Sequence, residues 1–135
     1  MTALLKRILL VDDSARDREL VLAALETHRL ANEVVALRDG AEALDYLYRR
    51  GDFAARPVGD PAVILLDLKM PRVDGIAFFR EVSGTMPHVR QRMIFVTGDV
   101  AGTEAEQFLE ESGCRWVPKP FRLRDLVRAA REALG

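Results

Sequence analysis

The sequence predicts an α/β fold: a doubly wound, five-stranded parallel sheet flanked by five helices. Three observations carry that expectation. Short, continuously apolar runs rich in β-branched residues recur along the chain, as at Ile8-Leu9-Leu10-Val11 and Val63-Ile64-Leu65-Leu66. Runs of that length suit strands covered on both faces. Between them lie stretches whose apolar residues recur at helical spacing. The runs also end in acids, a hydroxyl or a lysine, and parallel sheets bind their ligands at the carboxyl ends of strands.

The first strand is Arg7-Ile8-Leu9-Leu10-Val11, ending in Asp12-Asp13-Ser14. Ser14 suits the N-cap of a helix over 15–26, with Leu20, Val21, Ala24 and Leu25 on its apolar face. Residues 33–37 form the second strand. Asp39, with Glu42 three residues on, makes a capping box. It opens a helix that Ala43, Leu44, Leu47 and Tyr48 carry to about residue 50. Gly51, Pro57, Gly59 and Pro61 break any period, so 51–61 reads as a loop, longer than most connections. Residues 62–66 give the clearest buried strand, closed by Asp67-Leu68-Lys69-Met70-Pro71. A helix over about 73–82 turns Ile76, Phe79 and Val82 inward. Met93-Ile94-Phe95-Val96 is the fourth strand, ending in Thr97-Gly98-Asp99. Thr103 and Glu106 form a second capping box before a short helix that Gly113 closes. Arg115-Trp116-Val117-Pro118 is the fifth strand, which its proline moves to an edge. Leu123, Leu126, Val127, Ala130 and Leu134 mark a last amphipathic helix.

Composition narrows the function. With 135 residues the chain fits one domain and can bury a core without disulfides or a metal staple. Twenty basic residues against 21 acidic ones exclude a purely electrostatic nucleic-acid binder. One cysteine, Cys114, excludes an internal disulfide and a cysteine zinc site. His28 and His88 read as surface residues of connections. No apolar run approaches the roughly 20 residues of a membrane span, and the start lacks a secretion signal. The expectation is a single cytoplasmic domain over 1–135, with no output domain behind it and no nucleic-acid or membrane partner.

In a parallel sheet the strand ends point one way. Asp12, Asp13, Asp67, Thr97 and Lys119 should therefore converge in one crevice. Clustered carboxylates repel, and unpaired they would gain protons. A divalent cation resolves the conflict, and a few hard oxygen ligands select Mg²⁺. A carboxylate beside such a metal can attack phosphorus. The metal, a hydroxyl and a lysine would stabilise the oxygens of the transferring group.

These residues, with Val11-Asp12-Asp13, Asp67-Leu68-Lys69-Met70-Pro71, Asp74-Gly75, Val96-Thr97-Gly98 and Lys119-Pro120-Phe121, resemble the receiver domain of two-component response regulators. The resemblance runs from about Arg7 to Leu134 and implies a flavodoxin-like receiver fold. It implies Asp67 as phosphoacceptor, and Mg²⁺ held by Asp13 and Asp67, by Asp12 through water, and by the backbone carbonyl of Lys69. Thr97 would hydrogen-bond the phosphoryl group and Lys119 would pair with it, with a cis Lys119–Pro120 bond. The implied partner is a histidine kinase, with onward transfer to a histidine phosphotransfer protein or a conformational output. The chain would supply a phosphorylation site without being a conventional enzyme. A narrower resemblance, in Leu30-Ala31-Asn32-Glu33-Val34-Val35, Arg38-Asp39-Gly40 and Ala43-Leu44-Asp45-Tyr46-Leu47, is to bacterial phytochrome-associated response regulators. These take phosphate from a light-sensing kinase and often dimerise, here through the fourth helix, fifth strand and fifth helix. By contrast, Phe95 to Asp99 and the stretch from Phe108 to Phe121 are more similar to receivers of hybrid kinases.

One position departs from the family pattern, and three others bear on access to the site. Trp116 stands at the receiver switch position, where Tyr or Phe is usual; it reads either as the switch or as a bulky indole that stays outside and packs on a partner. Gly98 leaves the path to the site open. Lys69 and Asp99 flank the phosphoryl position and would gate attacking water. Other readings remain beside this one. An Asp-dependent phosphohydrolase would need a second acid two residues after Asp67, where Lys69 stands. A flavin protein of the same architecture would need a Ser/Thr/Gly phosphate loop after the first strand. A phosphorylation-independent interaction module would keep the fold without using the site.

Overall fold

A computed structural model describes residues 7–29, 33–98 and 104–134. In chain order the elements are β1 (Arg7–Val11), α1 (Ala15–Thr27), β2 (Glu33–Leu37), α2 (Gly40–Tyr48), β3 (Val63–Leu66), α3 (Gly75–Thr85), β4 (Met93–Thr97), α4 (Glu104–Ser112), β5 (Arg115–Pro118) and α5 (Leu123–Leu134). Two 3-10 turns, Gly51–Phe53 and Pro87–Arg92, lie before β3 and β4. The five strands form one parallel sheet in the order β2-β1-β3-β4-β5. The doubly wound fold expected from the apolar runs is therefore present, with β5 at an edge.

Alternation along the strands divides the core. Leu9, Val11, Ile64, Leu66 and Phe95 face α2, α3 and α4. Ile8, Leu10, Val63, Leu65, Ile94 and Val96 face α1 and α5. Phe108 of α4 packs edge-on against Phe79 and Phe95, at 5.2 and 5.5 Å between centroids. Phe108 thus packs on the sheet.

Side-chain caps start three helices, two of them, at Ser14 and Asp39, as expected. Ser14 Oγ accepts from the Asp17 N–H, and Asp39 Oδ1 from the Glu42 N–H. Glu42 answers one residue upstream of a standard capping box, accepting from the Arg38 N–H at 3.1 Å. The third helix starts later than its apolar period suggested. Asp74 takes the N-cap by accepting from the Ala77 N–H, so Val73 remains in the loop. Within that helix Phe78 is fully buried. The capping role of Thr103 lies outside the described residues. Leu20 and Leu123, expected on apolar faces, are exposed, at 46% and 51%. Both border one groove with Phe121 at the carboxyl end of the sheet, where the helix faces pass beyond the strands they cover.

The long loop after α2 is held by arginines. Arg56 lies 4.1 Å over the Tyr46 ring and donates to the carbonyls of Tyr46, Pro57 and Gly59. His88 meets Asp60 at 2.7 Å.

Two features fix the segment after β3. Arg72 adopts a left-handed conformation, φ 65°, which costs a non-glycine residue about 1–2 kcal/mol. Its guanidinium makes a bidentate pair with Asp39, at 2.8 and 3.0 Å. Gly75 sits so close beneath β3 that a Cβ would stand 2.4 Å from the Asp67 carbonyl oxygen and 2.7 Å from Leu68 Cα. Replacement Gly75→Ala should destabilise the fold by about 1–3 kcal/mol, read from denaturant midpoints. Burial pushes the Asp39 carboxyl up, but the Arg72 hydrogen bonds and the Glu42 N–H outweigh it and hold it below the usual range. Its contribution is whole above the unfolded carboxylate value of about 3.9. It is lost as pH falls through the lower folded value. Asp39→Asn keeps the cap acceptor and removes the charge. The variant should melt below the wild type at neutral pH, and the gap should close on acidification below about pH 4.

Candidate functional site

Strand register brings the predicted residues together. Val11 pairs with both Leu37 and Leu66, so Asp12 and Asp67 follow on adjacent strands. The Asp67 N–H donates to the Val11 carbonyl and the Asp12 N–H to the Leu37 carbonyl, both at 3.1 Å. On the other side Thr97 pairs with Pro118, and the Lys119 N–H donates to the Thr97 carbonyl at 2.9 Å. The Lys119–Pro120 bond is cis.

The crevice is built around one ammonium. Lys119 Nζ lies 2.8 Å from Asp12 Oδ2, 2.8 Å from Asp17 Oδ2 and 3.1 Å from Asp67 Oδ2. Asp12, Asp67 and Thr97 are buried, while Asp13 is exposed. The other oxygen of Asp12 accepts from the Ser14 N–H at 2.9 Å. Arg18 donates to the Asp12 carbonyl at 2.6 Å. The Lys69 N–H reaches Asp67 Oδ1 at 3.4 Å, and the Lys69 side chain points into solvent.

Burial pushes the Asp12 carboxyl up, and the neighbouring Asp67 charge adds to it. The hydrogen bonds from Lys119 and Ser14 offset only part of this. For Lys119 burial acts against the charge, but the bonds to Asp12 and Asp17 and the charge of Asp67 prevail, and the ammonium is held well above the ordinary lysine range. The site is thus short of positive charge. Carboxylate oxygens of Asp12, Asp13 and Asp67 lie within 4.8 Å of one another. An all-oxygen set with one exposed member fits Mg²⁺, which keeps part of its water shell.

Gly98 has a reason that its sequence position did not reveal. A Cβ there would meet the Lys119 carbonyl oxygen at 3.0 Å and Lys119 Cβ at 3.1 Å. Its small size therefore makes room for the lysine as well as for access. Trp116 stands outward on β5, 41% exposed. Cys114 is half-buried, and burial pushes its thiol up, in keeping with an inert residue. Asp99 lies outside the described residues. Asp17 reaches the same crevice without lying at a strand end, so the strand-end pattern of the sequence does not reveal it. It belongs to the first turn of α1, and the cap at Ser14 directs that turn over the crevice.

The profile of the response regulator receiver domain matches residues 8–131. Among solved structures, the bacteriophytochrome response regulator AtBRR is 43% identical. The match covers 98% of this chain and 94% of that one, with a TM-score of 0.81. The bacteriophytochrome response regulator RtBRR is 44% identical over 98% of this chain and 79% of its own, with a TM-score of 0.79. Response regulator Rcp1 of Synechocystis sp. is 40% identical over 77 residues, 57% of this chain and 51% of Rcp1. The chain thus spans about half of that curated relative. The structure of Rcp1 in its Mn²⁺-bound form matches at 30% identity, covering 94% of this chain and 90% of that one, with a TM-score of 0.75.

Proposed function

Because the chain belongs to the response regulator receiver domain family, we propose that Asp67 accepts a phosphoryl group from a histidine kinase, in the presence of Mg²⁺. The chain is a signalling protein of that family, similar to phytochrome-associated regulators. The observation that carries the proposal is the buried Asp67 carboxylate, with Lys119 at 3.1 Å on one oxygen and two further acids within 4.8 Å. The Mn²⁺-bound form of Rcp1 supports a divalent ion as cofactor. Asp12, Asp13, Asp67 and the Lys69 main-chain carbonyl would hold it. Bound there, Mg²⁺ neutralises charge on the transferring phosphoryl oxygens.

The chain's own groups do the rest. An Asp67 oxygen forms a bond to phosphorus as the bond from phosphorus to the kinase imidazole nitrogen breaks. The leaving imidazole takes up a proton, and Asp67 becomes an acyl phosphate. Lys119 stabilises the phosphoryl oxygens by charge, and the Thr97 hydroxyl donates to one of them. The added charge biases a two-state equilibrium, with output through α4, β5 and α5. Trp116 belongs to that face. The same face is the proposed homodimer contact, and a histidine phosphotransfer protein is the alternative recipient. The similarity to AtBRR and RtBRR supports a bacteriophytochrome as the kinase. A cytoplasmic location suits such a partner, and among the described residues no helix is long and apolar enough to cross a membrane.

Incubation with acetyl phosphate and Mg²⁺ should add one phosphoryl group by intact mass. Omitting Mg²⁺ or replacing Asp67→Asn should abolish the adduct. No adduct in the wild type, together with no binding of beryllofluoride, would sink the proposal. In the same assay the decay of the adduct should change by about threefold or more in Lys69→Ala and Asp99→Ala, each of which removes one charge. Unchanged decay in both would remove them from the mechanism.

A further inference from the structure

We infer that Asp17 is a positioning residue that holds the Lys119 ammonium on the α1 side of the crevice and competes with a phosphoryl group for it. The inference rests on the assignment of Asp67 as acceptor and adds a residue to that site.

Geometry sets Asp17 apart from the other acids. Its Oδ2 contacts Lys119 Nζ at 2.8 Å, shorter than the 3.1 Å from Asp67. It is not among the three acids whose oxygens cluster within 4.8 Å, so its charge is committed to the lysine. The Asp17 side chain is 29% exposed, against 4% for Asp12. Its main-chain N–H is held by Ser14 Oγ at 3.2 Å, which fixes the turn that presents the carboxylate. Asp17 and Lys119 both line the groove that opens between α1 and the chain after β5.

The consequence is electrostatic. A lysine carries three donors and one charge, and here three carboxylates share them. The ammonium is therefore largely neutralised before any phosphoryl group arrives. Two of its partners, Asp12 and Asp17, belong to the β1–α1 segment and occupy donors that the added oxygens would need. Phosphorylation removes the negative charge of Asp67 but adds a group bearing nearly two. Asp17 then stands as one surplus negative charge beside it. Asp12 is buried and also bound by the Ser14 N–H, whereas water can solvate the partly exposed Asp17. Asp17 is thus the partner that yields. It makes the unmodified state harder to leave and returns Lys119 when the phosphoryl group is lost.

The test compares wild type, Asp17→Asn and Asp17→Glu in the full chain. Two readouts are beryllofluoride affinity with Mg²⁺, by calorimetry, and the rate of adduct formation from acetyl phosphate, by intact mass. Asp17→Asn should bind the phosphoryl mimic roughly three- to tenfold more tightly and react faster, with the gain shrinking near 0.5 M salt as the charge is screened. Asp17→Glu, which restores the charge, should return both values toward wild type. A loss of packing would not produce that salt dependence or that rescue. Binding in Asp17→Asn equal to or weaker than wild type, with a cooperative melt showing it folded, overturns the inference. Should Asp17→Asn be unfolded, Asp17→Ser, which also removes the charge, decides instead: tighter binding than wild type upholds the inference, and equal or weaker binding in a folded chain overturns it. If no chain, wild type included, takes up either probe, the acceptor assignment itself fails and the competition falls with it. Uptake that is alike in all three chains defeats the role of Asp17 alone.

Discussion

Four carboxylates meet at one end of this sheet with a single lysine between them. Parallel pairing leaves no alternative, since the strand ends that carry Asp12, Asp67 and Lys119 must emerge side by side. Burial of such a cluster is tolerable only if each charge finds a partner. Lys119 supplies part of the balance through three short contacts. The shortfall that remains is what makes the place receptive to a divalent cation. Structure and chemistry therefore share one constraint, the placing of negative charge in low dielectric with incomplete compensation.

The surroundings of that cluster differ from side to side. Toward β2, the loop after β3 is bound twice, by the Arg72 pair with Asp39 and by the Gly40 N–H on the Val73 carbonyl at 2.9 Å. Gly75 presses α3 against the chain below Asp67. Toward β5, the chain after the strand is tied to the crevice through Lys119, by its N–H on Thr97 and its ammonium on three acids. In the proposed function, a redistribution of charge at the lysine would be felt on the β4–β5 side through the Lys119 N–H bound to Thr97.

Most of this was legible in the sequence, for physical reasons. Buried parallel strands must be apolar on both faces, so Leu9, Ile64 and Ile94 announce them without ambiguity. Caps at Ser14 and Asp39 follow from local hydrogen bonding, and so they too could be read. What escaped depends on distant geometry. The exposure of Leu20 and Leu123 follows from where α1 and α5 project past the strand ends, which periodicity does not encode. The crowding of Gly98 by Lys119 joins residues 21 positions apart. Asp17 looked like an ordinary first-turn acid, favoured there by the helix dipole. Its clue was its place on the turn after the Asp12-Asp13 pair, since the turn following a strand end must pass over the same crevice.

Trp116 is the chain's only tryptophan, and it stands 41% exposed on edge strand β5. The protein therefore carries one indole fluorophore, which can be excited apart from Tyr46 and Tyr48, on the face proposed above for output. An indole in water emits at longer wavelength than one enclosed by apolar groups. Emission from this single ring reports the local polarity of β5 without interference from any second tryptophan. Nature has in effect labelled one strand optically, so the coverage of that strand can be followed with no added dye.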